Sequence, residues 1–237
     1  MKTDFKAGSR RPGVVVTQDQ TAGSAVRTGF LASIPWRVKG VVFLVFFTAT
    51  GYGYFQVLVS AYLPQIGFSS GSVGLILGVN GIAVVLASVP LGLYADRKGK
   101  RPILFVGLVV FPFTLLAFAV LRNLAAFLVA GAVAGLVEGA FLSTWNALIA
   151  DMTTPQNRNH AFSLSFIVAS FAFGLGYAIP FVFPFLGATF NLGLVQVHQY
   201  ATIAISAFAF VSPAGMLVVM KGYAEPERKA PGSANFR

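Results

Sequence analysis

Polar side chains are sparse along the 237 residues, and the stretches between them stay apolar for roughly twenty positions or more. The pattern predicts helices over 40–63, 72–95, 102–121, 124–150, 160–186 and 197–221. Each is long enough to cross a bilayer, which takes about 20 predominantly apolar residues. The runs are continuously apolar and do not alternate with period two, so they are not the strands of a barrel. Helices are also the form that satisfies its own backbone hydrogen bonds in lipid. The expected fold class is therefore all-α integral membrane, with a six-helix transmembrane bundle over 37–221.

Composition agrees with the pattern. A chain that is 56% hydrophobic, with 24 Phe and a mean hydropathy of +0.77, carries more apolar surface than a soluble domain of this length can bury. Residues 1–36 are polar, basic and turn-rich, which predicts a disordered cytoplasmic arm. Residues 222–237 have the composition of a cytoplasmic linker or tail. The first apolar run begins near residue 40 and is of spanning length, which argues against a cleaved signal peptide. The absence of Cys excludes disulfides and thiolate metal sites, and neither a metal nor a cofactor is expected.

The net charge of +10 invites a nucleic-acid reading, but its distribution removes that partner. Sixteen of the 17 Lys and Arg fall before the first span, after the second, after the fourth or at and beyond the end of the sixth. Only Arg122, between the third and fourth, falls on the other side. The positive-inside rule then places both termini in the cytoplasm of a multi-pass plasma-membrane protein whose constant partner is lipid. Trp36, Arg37 and Lys39 read as an anchor at the membrane interface.

The spans differ in their polar content. The third has Thr114 as its one polar side chain, and the sixth has Thr202, Ser206 and Ser212, hydroxyls able to bond back to their own helix; both read as peripheral. The first carries Thr48, Tyr52, Gln56 and Ser60 at four-residue intervals, a stripe along one face beside Gly51 and Gly53. Asn80 lies between Gly78 and Gly81 in the second, and Ser163, Ser170 and Tyr177 are seven apart in the fifth. Such groups turn toward a bundle interior or a wet cavity, or bond between helices as packing devices. Tyr52, Gln56, Asn80, Trp145, Asn146 and Tyr177 are the candidate cavity residues.

Glu138 stands apart as the one acid deep within a span, with no Lys or Arg at similar depth to pair with it. Burying an ionised side chain there costs at least about 2.5–3.5 kcal/mol, so desolvation favours its protonated form. Such a carboxyl can exchange a proton as its surroundings wet and dry, or hold a cation. The plainer alternative is a permanently protonated acid bonded to a neighbour. Gly131, Gly135 and Gly139 form a small-residue series on the same helix that admits a close neighbour.

Between the second and third runs lies GLYADRKGKRP, residues 92–102. Its cations serve topology, with Gly99 free to turn and Pro102 suited to begin the next helix. Asp96 is not explained that way, because a carboxylate at a helix C-terminus opposes the macrodipole. It asks for a nearby cation or the N-terminus of another helix, and Gly92, one turn earlier, leaves room for that helix.

The stretch Gly92-Leu-Tyr-Ala-Asp96-Arg97-Lys-Gly99-Lys100-Arg101 resembles, at every position, the cytoplasmic signature G-x-x-x-D-R/K-x-G-R/K-R/K of the major facilitator superfamily. Asp151 and Arg158 resemble the acid and arginine that bracket the family's loop between helices four and five. The resemblance covers about 40–221 and implies two inverted three-helix repeats, one half of the family's fold. It further implies a secondary transporter of a small solute by rocking-bundle alternating access, with Gly92 and Asp96 latching against a second six-helix bundle. That bundle would be a C-terminal half, a separate chain or a second copy. Two departures weaken an antiporter reading. Gly135 stands where exporters often have an arginine in helix four, and Pro180 follows Ile179 in place of a Gly-Pro pair.

The alternative is a non-transporting membrane partner or scaffold of the same fold. An enzyme is not expected: His160 and His198 sit at opposite membrane faces, and no Ser–His pairing or mid-membrane aspartate pair appears.

Overall fold

The structure, a computed structural model, describes residues 29–223, so most of the basic arm and of the C-terminal tail lie outside the described residues. Six long apolar helices cross between the two ends of the bundle: α1 (Trp36–Gln65), α2 (Ser70–Lys98), α3 (Lys100–Val120), α4 (Leu124–Asp151), α5 (Arg158–Phe190) and α6 (Leu194–Val219). They match the expected spans, with α1 starting earlier and α5 running further. The connections are short, so successive helices reverse direction. Ser69 and Asn123 begin α2 and α4 as N-caps, accepting from the Ser72 and Ala126 amides at 3.2 and 2.8 Å. The turn between α2 and α3 is tighter than the six positions Asp96–Arg101 suggest. Gly99 alone separates the helices, at a φ of 99° that favours glycine. Pro102 falls in the first turn of α3, where its missing N–H costs nothing.

Two glycine seams hold the bundle together. Along α4, a Cβ on Gly131, Gly135 or Gly139 would meet the backbone carbonyl of Ile76, Asn80 or Val84 on α2. Where α1 crosses α5, a Cβ on Gly176 would meet the Thr50 carbonyl, and one on Gly53 the Phe173 carbonyl. In lipid no hydrophobic force brings helices together, so this close backbone approach is itself a driving term. Aromatic rings fill the space between the seams: Tyr52 stacks on Phe111 at 4.3 Å and Phe118 on Phe127 at 5.0 Å.

The structure corrects the reading of α3 as peripheral. α1 and α3 are the most buried helices, whereas α2 and α5 expose most of their surface. Nor do all the α6 hydroxyls bond back to their own helix. Thr202 does so, to the His198 carbonyl at 2.7 Å, but Ser206 donates to the Pro112 carbonyl of α3 at 2.7 Å and Ser212 to the Leu44 carbonyl of α1 at 2.5 Å. A hydroxyl in an apolar helix needs an acceptor, and neighbouring helices supply two of the three.

α1 is not a regular helix throughout. Residues Leu58–Tyr62 form a π-helical turn, a feature that adds a residue to the turn and redirects the side chains beyond it. α5 is interrupted by a 3-10 segment at Ile179–Val182, which begins beside Pro180.

Candidate functional site

Where α1, α3 and α4 diverge, with Phe173 of α5 at the edge, they leave a cavity of about 110 Å³. Its walls are almost wholly apolar, among them Val45, Leu104, Leu108 and Phe141. The polar groups it holds are Glu138 from α4 and Thr48 and Tyr52 from α1. Tyr52 is buried and donates to the Ala134 carbonyl at 2.6 Å, and Glu138 lines the same cavity. The four-residue spacing on α1 puts Thr48 and Tyr52 on one face, and the α4 register aims Glu138 at them. This is a site able to hold a proton, or a small cation-bearing group, against an apolar wall.

The signature hairpin lies at the end of the bundle that also holds the start of α1. Gly92 packs against Ser143, to which an added Cβ would come within 3.3 Å. Lys100 is almost completely buried and forms an ion pair with Asp151 at the end of α4. Asp96 and Arg97 are exposed, and Asp96 is engaged rather than free. Arg158 donates to the Ala150 carbonyl at 3.3 Å and Arg101 to the Tyr223 carbonyl at 3.5 Å. The hairpin thus ties α2 and α3 to the end of α4 while keeping Asp96 at the surface.

A sequence model of the Major Facilitator Superfamily matches residues 41–236. The chain belongs to the major facilitator superfamily. Among the proteins it is similar to is the inner membrane transport protein YajR of Escherichia coli, 33% identical over 152 residues, which cover 62% of this chain and 32% of YajR. Another is the quinolone resistance protein NorA of Staphylococcus aureus, 25% identical over 185 residues, covering 73% of this chain and 47% of NorA. Its fold is similar to the crystal structure of a bacterial homologue of the human lysosomal transporter Spinster, in an inward-facing, unoccupied conformation. The TM-score is 0.60 at 15% identity, over 83% of this chain and 46% of that one. The chain therefore spans about half, or less, of the length of the superfamily members it matches.

As a superfamily bundle, the chain does not gather all six candidate cavity residues in one place. Tyr52 lines the cavity with Glu138. Asn80 is buried in the α2–α4 seam, donating to the Gly131 carbonyl at 3.2 Å. Trp145 donates to Ser165 of α5 at 2.8 Å and stacks on Phe141, one ring behind the cavity wall. Gln56 is half-buried, and Asn146 and Tyr177 are exposed.

Sequence reasoning passed over a second polar cluster, at the end opposite the signature. Arg122 donates to the phenol of Tyr62, which is fully buried and lies 5.2 Å, ring to ring, from His198. Phe183 closes the other side of the imidazole at 4.6 Å. The π turn of α1 delivers Tyr62 to this position, so a regular 3.6-residue projection does not find it.

Proposed function

We propose that the chain is one six-helix half of a secondary active transporter that moves a small solute by rocking-bundle alternating access. Both termini face the cytoplasm of the plasma membrane, and the positive-inside distribution of Lys and Arg supports that sidedness. The observation that carries the reading is the meeting of Glu138 with Tyr52 in the one cavity that also holds Thr48. An intramembrane acid placed in an otherwise apolar cavity is a coupling group by its energetics, because only a change in hydration or occupancy makes its ionisation affordable. Glu138 then binds and releases a proton, or a cationic group of the solute, as the bundles rock. The exposed faces of α2 and α5 support a second six-helix bundle as partner, with Gly92 and Asp96 as the latch against it and Arg97, Gly99, Lys100 and Arg101 shaping the hairpin that presents them. Lys100 with Asp151, and Arg158 against the α4 end, fix the base of that latch.

The test is transport into vesicles under an imposed pH gradient, with a panel of labelled sugars, amino acids and a lipophilic cation. One or more of these moves, Glu138→Gln uncouples the movement from the gradient, and Asp96→Asn slows it without abolishing binding. Movement of none of them, together with no change from either substitution in proton flux, overturns the reading.

A further inference from the structure

The cluster at the end opposite the signature is built around one side chain. His198, near the start of α6, is 3% exposed, and its Nδ1 is sealed from solvent with no hydrogen-bond partner among the described residues. Tyr62 and Phe183 hold the imidazole between them, Tyr62 tilted at 32° and Phe183 edge-on at 86°. Both of those rings are buried too, and each comes from a break in a spanning helix. Tyr62 is the last residue of the π turn in α1, and Phe183 is the first residue after the 3-10 segment of α5. The two irregular segments therefore converge on a single imidazole, and π turns are frequent at functional sites. The backbone of His198 is pinned as well, because its carbonyl accepts from Thr202 at 2.7 Å and from Tyr54 of α1 at 3.3 Å. One residue thus joins α1, α5 and α6.

The clamp suits a neutral ring and not a charged one. An imidazolium carries an N–H on both nitrogens, so Nδ1 would have to donate, and no acceptor among the described residues is within its reach. The Tyr62 oxygen already accepts from Arg122, whose guanidinium also lies 5.8 Å from the centre of that ring. The charged and titratable groups around His198 are Tyr54 and Tyr62 from α1 and Arg122 from the α3–α4 turn, while α5 offers Phe183. None of them is an acid. The described carboxylates are Glu138 within α4 and Asp96 and Asp151 at the other end of the bundle. A second positive charge beside Arg122, buried and without a counter-ion, is disfavoured by desolvation and by repulsion alike. We propose that His198 is a proton-operated lock at the end of the bundle opposite the signature. Neutral, it fastens α1, α5 and α6 together; on taking up a proton it leaves the Tyr62–Phe183 clamp and lets them part. The ligand is the proton, and its differential affinity for the closed and open states supplies the shift. Glu138 lies in a different cavity and plays no part in it.

The experiment exploits the absence of Cys from the chain. Val197, 3% exposed and adjacent to His198, is replaced by Cys in the full chain in phospholipid vesicles. Its rate of maleimide labelling at each pH is divided by the rate in denaturing detergent at the same pH, which removes the titration of the thiol itself. Where the open state alone binds the proton, its population rises below the ordinary histidine value of about pH 6.5 by up to about tenfold per pH unit. The labelling ratio follows that slope, and Glu138→Gln leaves the slope in place. His198→Phe, whose ring fills the clamp but takes no proton, removes it. Histidine-selective NMR gives a second measure that needs no substitution in the clamp. The chain has two His, so His160→Gln leaves one imidazole to observe. Its carbon-bound protons, displaced by the Tyr62 and Phe183 rings at neutral pH, move to unshifted positions as the proton binds. A labelling ratio that stays flat from about pH 6.5 down to about pH 4.5 overturns the proposal. So does an equal slope in His198→Phe, or an imidazole that takes up its proton while keeping its ring-shifted resonances.

Discussion

The two glycine seams make an informative pair. In two inverted three-helix repeats α1 corresponds to α4, α2 to α5 and α3 to α6, so the α2–α4 seam is the repeat-related counterpart of the α5–α1 seam. Both bring backbones together at residues without Cβ, through Gly131, Gly135 and Gly139 on one side and Gly53 and Gly176 on the other. They differ in everything else. α2 and α4 are α-helical from end to end, and their polar link, Asn80 to the Gly131 carbonyl, closes within the seam. α1 is bonded to Ser212 of α6 and carries a π turn, α5 carries a 3-10 segment, and Tyr52 and Thr48 line the cavity from α1. One packing device therefore serves a regular pair and an interrupted pair.

The largest expected effect falls on both seams alike. Gly135→Val and Gly176→Val each drive a side chain into a facing backbone that cannot give way, and each costs about 3 kcal/mol or prevents folding. Gly174→Ala, at a position with open space around it, leaves thermal unfolding in detergent unchanged. A harmless Gly176→Val would mean that the α1–α5 crossing is loose rather than close-packed.

Next in size is Lys100→Met, which removes the buried ion-pair partner of Asp151 at the base of the hairpin. Removing one partner of a buried pair costs about 3–5 kcal/mol. Asp151 is a quarter exposed, so about 2 kcal/mol is expected here. The loss appears as lower unfolding temperature, and replacing both Lys100 and Asp151 by apolar residues recovers most of it.

Smaller again is Asn80→Leu. One interhelical hydrogen bond in a membrane protein is worth about 0.6 kcal/mol on average and at most about 1.7. Loss within that range, with no change in any proton-dependent signal, marks the α2–α4 seam as structural. A change in proton coupling instead moves Asn80 into the functional set.

The smallest stability effect is expected at Ser212→Ala, which removes a hydroxyl that donates to the Leu44 carbonyl and accepts the Thr48 amide. Equilibrium unfolding moves by less than about 1 kcal/mol. A larger loss would mean that this single link from α6 braces α1.

The membrane class, the six spans, the charged hairpin and the family were all legible along the chain. Each rests on properties that one segment carries alone: a continuous apolar run must span lipid, and GLYADRKGKR is contiguous in the chain. Periodicity also showed that Thr48, Tyr52 and Gln56 share a face, and that Glu138 lacks a cation at its own depth. It did not show which helix that face would meet. Asn80 and Trp145 look equivalent to Tyr52 as polar groups in apolar runs, yet their partners are Gly131 and Ser165, and only Tyr52 reaches Glu138. A polar group in hydrocarbon demands an acceptor, and its sequence neighbours fix the direction of the demand but not the helix that answers it. Ser212 is the clearest case. Its hydroxyl donates to the Leu44 carbonyl and accepts the amide of Thr48, 164 positions away, which the local sequence of neither helix specifies. Only the packing of α6 against α1 decides that.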